Sequence, residues 1–542
     1  MLDLIIRNAT VIDGSGKPGF SADVAVDQGR IGAVAPDLRA AARRTIDADG
    51  LALCPGFIDM HAHSDWSLAA YPRAESRLHQ GITTEVVGNC GSTWGPVRAE
   101  HLDDFKTFVA GHGGLFHPPM DQGEWPWPDL AAYYRELASG GLPLNWVPLV
   151  GHGSLRCAVM GFEGRAAEAA ELAAMEHLLR QELDQGLFGM SAGLIYHPGA
   201  FADLNELTAL AQVVRRAGGL ITLHMRSESH GILDAIAEGL AFAEASGVSL
   251  EISHLKCELP ANWGRSAEIL ALLDQARQRG VRVDFDQYPY TAYCCSLLEA
   301  FPPWAKDQGP QSLIRRLEDP ALRRRVQQEM TQLPFSWENP LEGLAGDRIL
   351  LTGFRSDRYR ALEGLDLTSI AAALEVEPID ALFRLFQAEQ GGLAMIVFAM
   401  CEEDLERILR HPATLIGSDG AALAAGQTSA GRADHPRNYG TFPRILGRYV
   451  RERNTLSLET AVAKMSGLPA RKLGLLDRGL IRSGQAADLV IFDPHTVADG
   501  ATFQNPHRYP AGIPYVLVNG ELVIDRGRHT GSLPGILLQR AS

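Results

Sequence analysis

Phe57-Ile58-Asp59-Met60-His61-Ala62-His63 is an apolar run that ends in two histidines one residue apart. In an extended strand, residues two apart point the same way, so His61 and His63 can grip one ion from one face. The same run also reads as an ordinary strand whose terminal histidines are satisfied by hydrogen bonds. The fold is set by the pattern downstream of it. Counting this first strand as 56–61, further strand-like runs stand at 83–88, 145–150, 187–191, 220–224, 250–254, 281–286 and 414–418. Intervening stretches such as 166–185, 204–217 and 232–245 space their apolar residues for helices, many with glycine near the end. Strands that each lead to a helix predict an α/β fold, a (β/α)8 TIM-like barrel over 56–480. The gap before the last barrel strand is too long for a simple crossover. An inserted subdomain is therefore expected at about 301–391, entered at Pro302-Pro303-Trp304.

Both ends of the chain have a different texture. Short strand-like runs at 2–7, 22–26 and 31–34 open it, and runs at 489–492, 515–518 and 521–524 close it, the last two joined by an Asn519-Gly520 hairpin turn. Neither piece can bury a core by itself. The expectation is one small β-sandwich shared by 1–55 and 481–542.

Bulk properties narrow the function. With 542 residues, 46% hydrophobic and 21% charged, the chain is an ordered multidomain protein. A net charge of -15 argues against nucleic acid or an anionic membrane as partner. An anionic substrate would have to be held by cations gathered locally against that field. The seven cysteines form no regular framework, which points to a reducing compartment, the cytoplasm, rather than a disulfide scaffold. Asp3 and Arg7 interrupt the first apolar stretch, so no signal-peptide core is expected, and no run is long enough to span a bilayer. No internal repeat or low-complexity tract is present, and oligomeric state is not legible.

Other metal-competent side chains end later strands. Cys90 follows the second in Gly88-Asn89-Cys90-Gly91; His224 ends the fifth, His254 the sixth, and Asp419 the eighth in Gly417-Ser418-Asp419-Gly420. Each one alone reads as packing or as a satisfied polar group. In a barrel, however, every strand's C-terminal end opens on one face, where such enzymes keep their sites. Six donors delivered to one rim point to a metal centre.

These residues resemble the amidohydrolase superfamily, as does the run from Pro469-Ala470-Arg471-Lys472-Leu473-Gly474-Leu475 to Gly484-Gln485-Ala486-Ala487-Asp488-Leu489-Val490. More narrowly, the chain resembles the D-aminoacylase (N-acyl-D-amino-acid deacylase) family over nearly its whole length. That likeness rests on Gly-Asn-Cys-Gly, Ser253-His254-Leu255-Lys256, Tyr288-Pro289-Tyr290 and His435-Pro436-Arg437. The resemblance implies a tightly bound zinc on Cys90, His224 and His254. It also implies a second, weaker position formed by Cys90 with His61, His63 and Asp419. A thiolate can take the bridging place that a carboxylated lysine fills in hydantoinases and dihydroorotases.

The same resemblance assigns the substrate's α-carboxylate to Lys256, Tyr290, Ser296 and Arg437, with Met400 beside the substrate. It also supplies the D-preference. Arg226 reads as a second anion contact or as a partner of Glu228, and His152 as polar packing. Three features depart from the family pattern: Ser92-Thr93-Trp94, Cys294-Cys295 and the long loop 421–434.

The implied reaction is zinc-dependent hydrolysis of an N-acyl-D-amino acid to a carboxylic acid and a free D-amino acid. Zinc would lower the pKa of a bound water and polarise the carbonyl, with Asp419 as proton shuttle or as ligand only. The oxyanion would fall to His63 or to the metal. A cyclic-amide hydrolase would need a lysine ligand, and the fourth strand has none in Leu187-Phe188-Gly189-Met190-Ser191-Ala192-Gly193. A dipeptidase for peptides ending in a D-residue would share the chemistry and the clamp. A non-catalytic amidohydrolase-like scaffold would be expected to have lost donors. Absence of a clear extra cation for the side-chain pocket favours apolar or medium-sized D-residues.

Overall fold

The computed structural model describes residues 1–116, 125, 127–306, 309–331, 337–426 and 434–540. Its centre is a parallel eight-stranded sheet: β1 (Phe57–Asp59), β2 (Ile82–Val87), β3 (Asn145–Gly151), β4 (Gly189–Gly193), β5 (Leu220–His224), β6 (Ser249–Ile252), β7 (Val283–Gln287) and β8 (Thr414–Ile416). Each strand pairs with its neighbour in chain order, β7 passing directly to β8. The ring closes between β8 and β1 through single contacts. Met60 N donates to Ile416 O (3.1 Å), and Ala62 bridges to Gly420.

Local chemistry explains the surrounding helices. Helix Leu204–Arg216 starts where the Asp203 side chain accepts from Glu206 N, and buries Leu207, Leu210, Val213 and Val214 along one face. Helix Ile232–Ser246 stops at Gly247, whose φ of 69° is open to glycine at little cost. Their apolar faces join the core that surrounds the barrel.

Strands from both termini combine into one nine-stranded mixed sheet. Strand Ala52–Pro55 is its hinge, pairing parallel with Leu2–Val11 and antiparallel with Leu489–Phe492. The sheet folds round a core of its own, in which Ile6, Val24 and Leu53 meet Leu489, Ile491 and Leu517.

Between β7 and β8 the chain builds a three-stranded antiparallel sheet, Tyr293–Ser296 and Ile349–Thr352 on either side of Ala394–Val397. Its outer limits therefore reach beyond the expected 301–391. The sheet and helix Pro378–Ala388 share an aromatic core with Phe301, Phe383 and Phe386. That core also takes in Tyr288, Tyr290 and Met400, so the insert is continuous with the barrel rim.

Candidate metal centre and substrate cavity

The seam between β1 and β8 is organised by Asp59. Its carboxylate accepts from His61 N (3.1 Å), Ser418 N (2.8 Å) and Ser418 Oγ (2.5 Å), and pairs with Arg77. Arg77, fully buried, also reaches Glu85 on β2 (2.5 Å). Burial pushes the Asp59 carboxyl up to about 6 against the pull of Arg77. This network fixes two exits from the barrel, one carrying His61 and His63 and the other Asp419. Asp419 N then donates to His61 O (2.7 Å) and His63 N to Gly420 O (2.8 Å).

The Gly-Asn-Cys-Gly loop is seated just as closely. Asn89 Nδ2 donates to Val86 O (2.9 Å), and its Oδ1 accepts from Thr222 Oγ1 on β5 (3.0 Å). A Cβ at Gly91 would come within 2.7 Å of Gly193 N, so a side chain there would lift the loop off β4. Cys90, His254 and Asp419 all have left-handed backbones, with φ of 56°, 36° and 53°. Non-glycine residues in that region store strain of order 1–3 kcal/mol, which the neighbouring hydrogen bonds offset.

The six predicted donors meet at this rim. His61 Nε2 stands 3.2 Å from Cys90 Sγ, and Cys90 Sγ stands 3.7 Å from both His224 Nδ1 and His254 Nε2. His63 Nε2 and His61 Nε2 lie 3.1 and 3.6 Å from Asp419 Oδ1. Within His61, Cys90 and His254, and within His61, His63 and Asp419, the donor atoms fall within 4.8 Å of one another. A thiol, imidazoles and a carboxylate so disposed fit a divalent ion of the zinc type.

Burial holds His63 and His224 down to about 4 and His254 well below its ordinary range. Burial thus favours the neutral ring, with a lone pair to offer, at these three, whereas at His61 the pull of burial is outweighed by Cys90 and Asp286, which raise it well above its ordinary range. Burial would raise the Asp419 carboxyl, but Arg437 and His63 hold it well below the usual carboxylate range. Arg437 Nη1 lies 2.7 Å from Asp419 Oδ2. Burial raises the Cys90 thiol, opposed by His61. Behind the donors, Asp286 accepts from His254 N (2.9 Å) and faces His61 Nδ1 at 3.6 Å.

A cavity opens directly over these groups. Of the residues assigned to the substrate, Lys256, Ser296 and Arg437 line it. Tyr290 and Met400 do not: they lie behind its wall in the insert's core, with the Tyr290 hydroxyl 3.5 Å from Pro436 O. The tyrosine of the Tyr-Pro-Tyr run that lines the cavity is Tyr288, the first of the two; its buried hydroxyl has no hydrogen-bond partner among the described residues, and Arg437 and Lys256 lie over its ring. The motif carried the signal, but the chain has left β7 by that point, so strand alternation does not choose between its two tyrosines.

Sequence reasoning missed Glu228 as a site residue. It is buried, with Lys256 Nζ 2.8 Å from both of its oxygens and His254 Nδ1 3.1 Å away. Arg226 pairs with Glu238 instead of Glu228, at 3.0 Å. His152 bonds Glu206 (2.7 Å), as polar packing predicts. Of the departures from the family pattern, Ser92, Cys294 and Cys295 line the cavity, and Trp94 packs against Trp66 behind it. Residues 427–433 of the long loop lie outside the described residues.

Comparison with known proteins gives concordant results. A model of the amidohydrolase family matches residues 44–524. The N-acyl-D-glutamate deacylase of Alcaligenes xylosoxydans xylosoxydans is 36% identical over 99% of this chain and 97% of its own. The D-aminoacylase of the same organism is 34% identical over 100% and 98%. Among solved structures, the N-acyl-D-glutamate deacylase of Bordetella bronchiseptica, complexed with zinc and a phosphonate mimic of the tetrahedral intermediate, superposes with a TM-score of 0.82. It is 35% identical, and 99% of each chain is covered.

Proposed function

Because the chain belongs to the amidohydrolase family, and within it to the D-aminoacylase group, we propose that it hydrolyses the linear amide bond of N-acyl-D-amino acids. The products are a carboxylic acid and a free D-amino acid. The observation that carries this reading is the cluster of six metal donors, five of them lining one cavity together with Arg437 and Lys256. Cys90, His224 and His254 would hold a tight zinc, and Cys90 with His61, His63 and Asp419 a second, weaker position. Zinc in such a site supplies an activated water and polarises the scissile carbonyl.

The chain's own groups do the rest. Asp419, kept ionised by Arg437, accepts the proton of the attacking water and passes it to the departing nitrogen. Amide cleavage needs that transfer because an unprotonated amine leaves poorly. Arg437 and Lys256 supply the positive charge that an α-carboxylate requires in a protein of net charge -15. Tyr288 adds a hydroxyl beside them, in the role first expected of Tyr290, and Ser296 adds another from the insert.

The remaining wall favours an apolar side chain. Trp66, Phe108, Phe162, Ile195 and Leu298 line it. One further cation, Lys306, also faces the cavity, but Glu299 pairs with it. A substrate with a second carboxylate would have to break that pair. The test is turnover of a panel of N-acetyl amino acids by the zinc-loaded protein. N-acetyl-D-methionine should be hydrolysed faster than N-acetyl-D-glutamate, and N-acetyl-L-methionine not at all. Hydrolysis of hydantoin or of the L-series alone would sink the reading.

A further inference from the structure

Glu228 stands where two functional groups of the site adjoin. It ends the run His224-Met225-Arg226-Ser227-Glu228 after β5, and the loop around it is pinned. Arg226 is held by Glu238 and by Ala202 O (3.0 Å), while Ser227 and Ser229 both donate to Glu338 of the insert. The Glu228 carboxylate faces inward, against the backs of both histidines. His254 presents Nε2 to Cys90 and Nδ1 to Glu228 Oε1 (3.1 Å), and His224 presents Nδ1 to Cys90 and Nε2 to Glu228 Oε2 (3.8 Å).

Lys256 makes this arrangement consequential. Its Nζ is 2.9 Å from His254 Nδ1. An ammonium donating there would force the ring proton onto Nε2 and remove the lone pair that faces Cys90. Glu228 takes the Lys256 protons on both oxygens (2.8 Å each) and accepts from Nδ1–H as well, which selects the opposite tautomer. Donor atoms of Glu228, His224 and His254 do lie within 4.8 Å of one another, but the Lys256 ammonium already sits on both Glu228 oxygens, which disfavours a cation seated there.

We propose that Glu228 is a positioning residue that sets the ring tautomer of His254 for metal binding while holding Lys256 beside the substrate cavity. The proposal rests on the metal-dependent hydrolase reading and predicts a property of zinc binding itself. The experiment is a chelator competition that measures zinc affinity for the full chain and its variants, each first checked by circular dichroism melting. E228Q should bind zinc roughly 10–100-fold more weakly than wild type, with E228D intermediate. Removing the competing donor in E228Q/K256M should recover part of the loss. Zinc affinity in E228Q equal to wild type would overturn the proposal. So would an oxygen ligand lost from the zinc X-ray absorption spectrum of E228Q, since Glu228 would then be a ligand. If E228Q fails to fold, E228D decides alone: its shorter side chain must weaken zinc severalfold, and unchanged affinity refutes the role. A wild-type protein that binds no zinc would instead remove the metal reading itself.

Discussion

Arg437 Nη1 lies 2.7 Å from Asp419 Oδ2, and both side chains are buried at the mouth of the metal centre. The cation assigned to the substrate's carboxylate is thus also the counter-ion of the group assigned to move the proton. On the proposed mechanism, substrate binding and proton transfer share one guanidinium, so changes at Arg437 should register in both.

For Arg437→Ala, KM for N-acetyl-D-methionine should rise by about 30-fold or more, since truncating one partner of a buried charge pair costs roughly 2–5 kcal/mol. An amide-capped analogue should suffer less. Arg437 lowers the Asp419 pKa, so its removal raises that pKa, and the carboxylate is lost at higher pH. The acid limb of the kcat/KM profile should therefore move upward. A KM change equal for both substrates, with an unmoved acid limb, contradicts the shared role.

Asp419→Asn should leave the tight zinc in place and remove most of the turnover, by on the order of 100-fold or more. Elemental analysis beside steady-state kinetics checks this. Loss of the tight metal would make Asp419 a ligand of that position instead.

Tyr288→Phe should alter KM or kcat for acyl-D-amino acids, because Tyr288 lines the cavity and its buried hydroxyl has no hydrogen-bond partner among the described residues. Tyr290→Phe should change both by less, because Tyr290 lies in the insert's core and does not line the cavity. Reversal of that order would return the clamp to Tyr290.

Arg77→Met removes the cation between Asp59 and Glu85, leaving two buried carboxylates to repel one another. Breaking a buried pair in this way costs about 3–5 kcal/mol. Denaturant unfolding should report a loss of that size. A loss below about 1 kcal/mol would mean that the seam is held by the backbone alone.

How much of this was legible in the sequence depended on the range of the signal. β5 falls on Leu220–His224 because a buried parallel strand is a continuous apolar run, and its histidine marks the rim. His61, His63, Cys90, His254 and Asp419 were found the same way, as polar groups ending apolar strands. Glu228 gave no such mark. A glutamate four residues after a histidine reads as an ordinary solvated side chain, and its significance arises only when β6 brings Lys256 alongside. The insert's four-residue strands carry too little periodicity to register, so the expected boundary followed the Pro302-Pro303-Trp304 punctuation instead of the sheet that begins at Tyr293. Tyr288 and Tyr290 differ in how the chain turns as it leaves the barrel, which composition does not encode.

The most direct measurement is the zinc content and N-acetyl-D-methionine turnover of wild type and Cys90→Ala, each dialysed against metal-free buffer. Wild type should retain about one zinc per chain and full activity, and the variant should lose both together. Full activity in a Cys90→Ala protein with wild-type zinc would contradict the account.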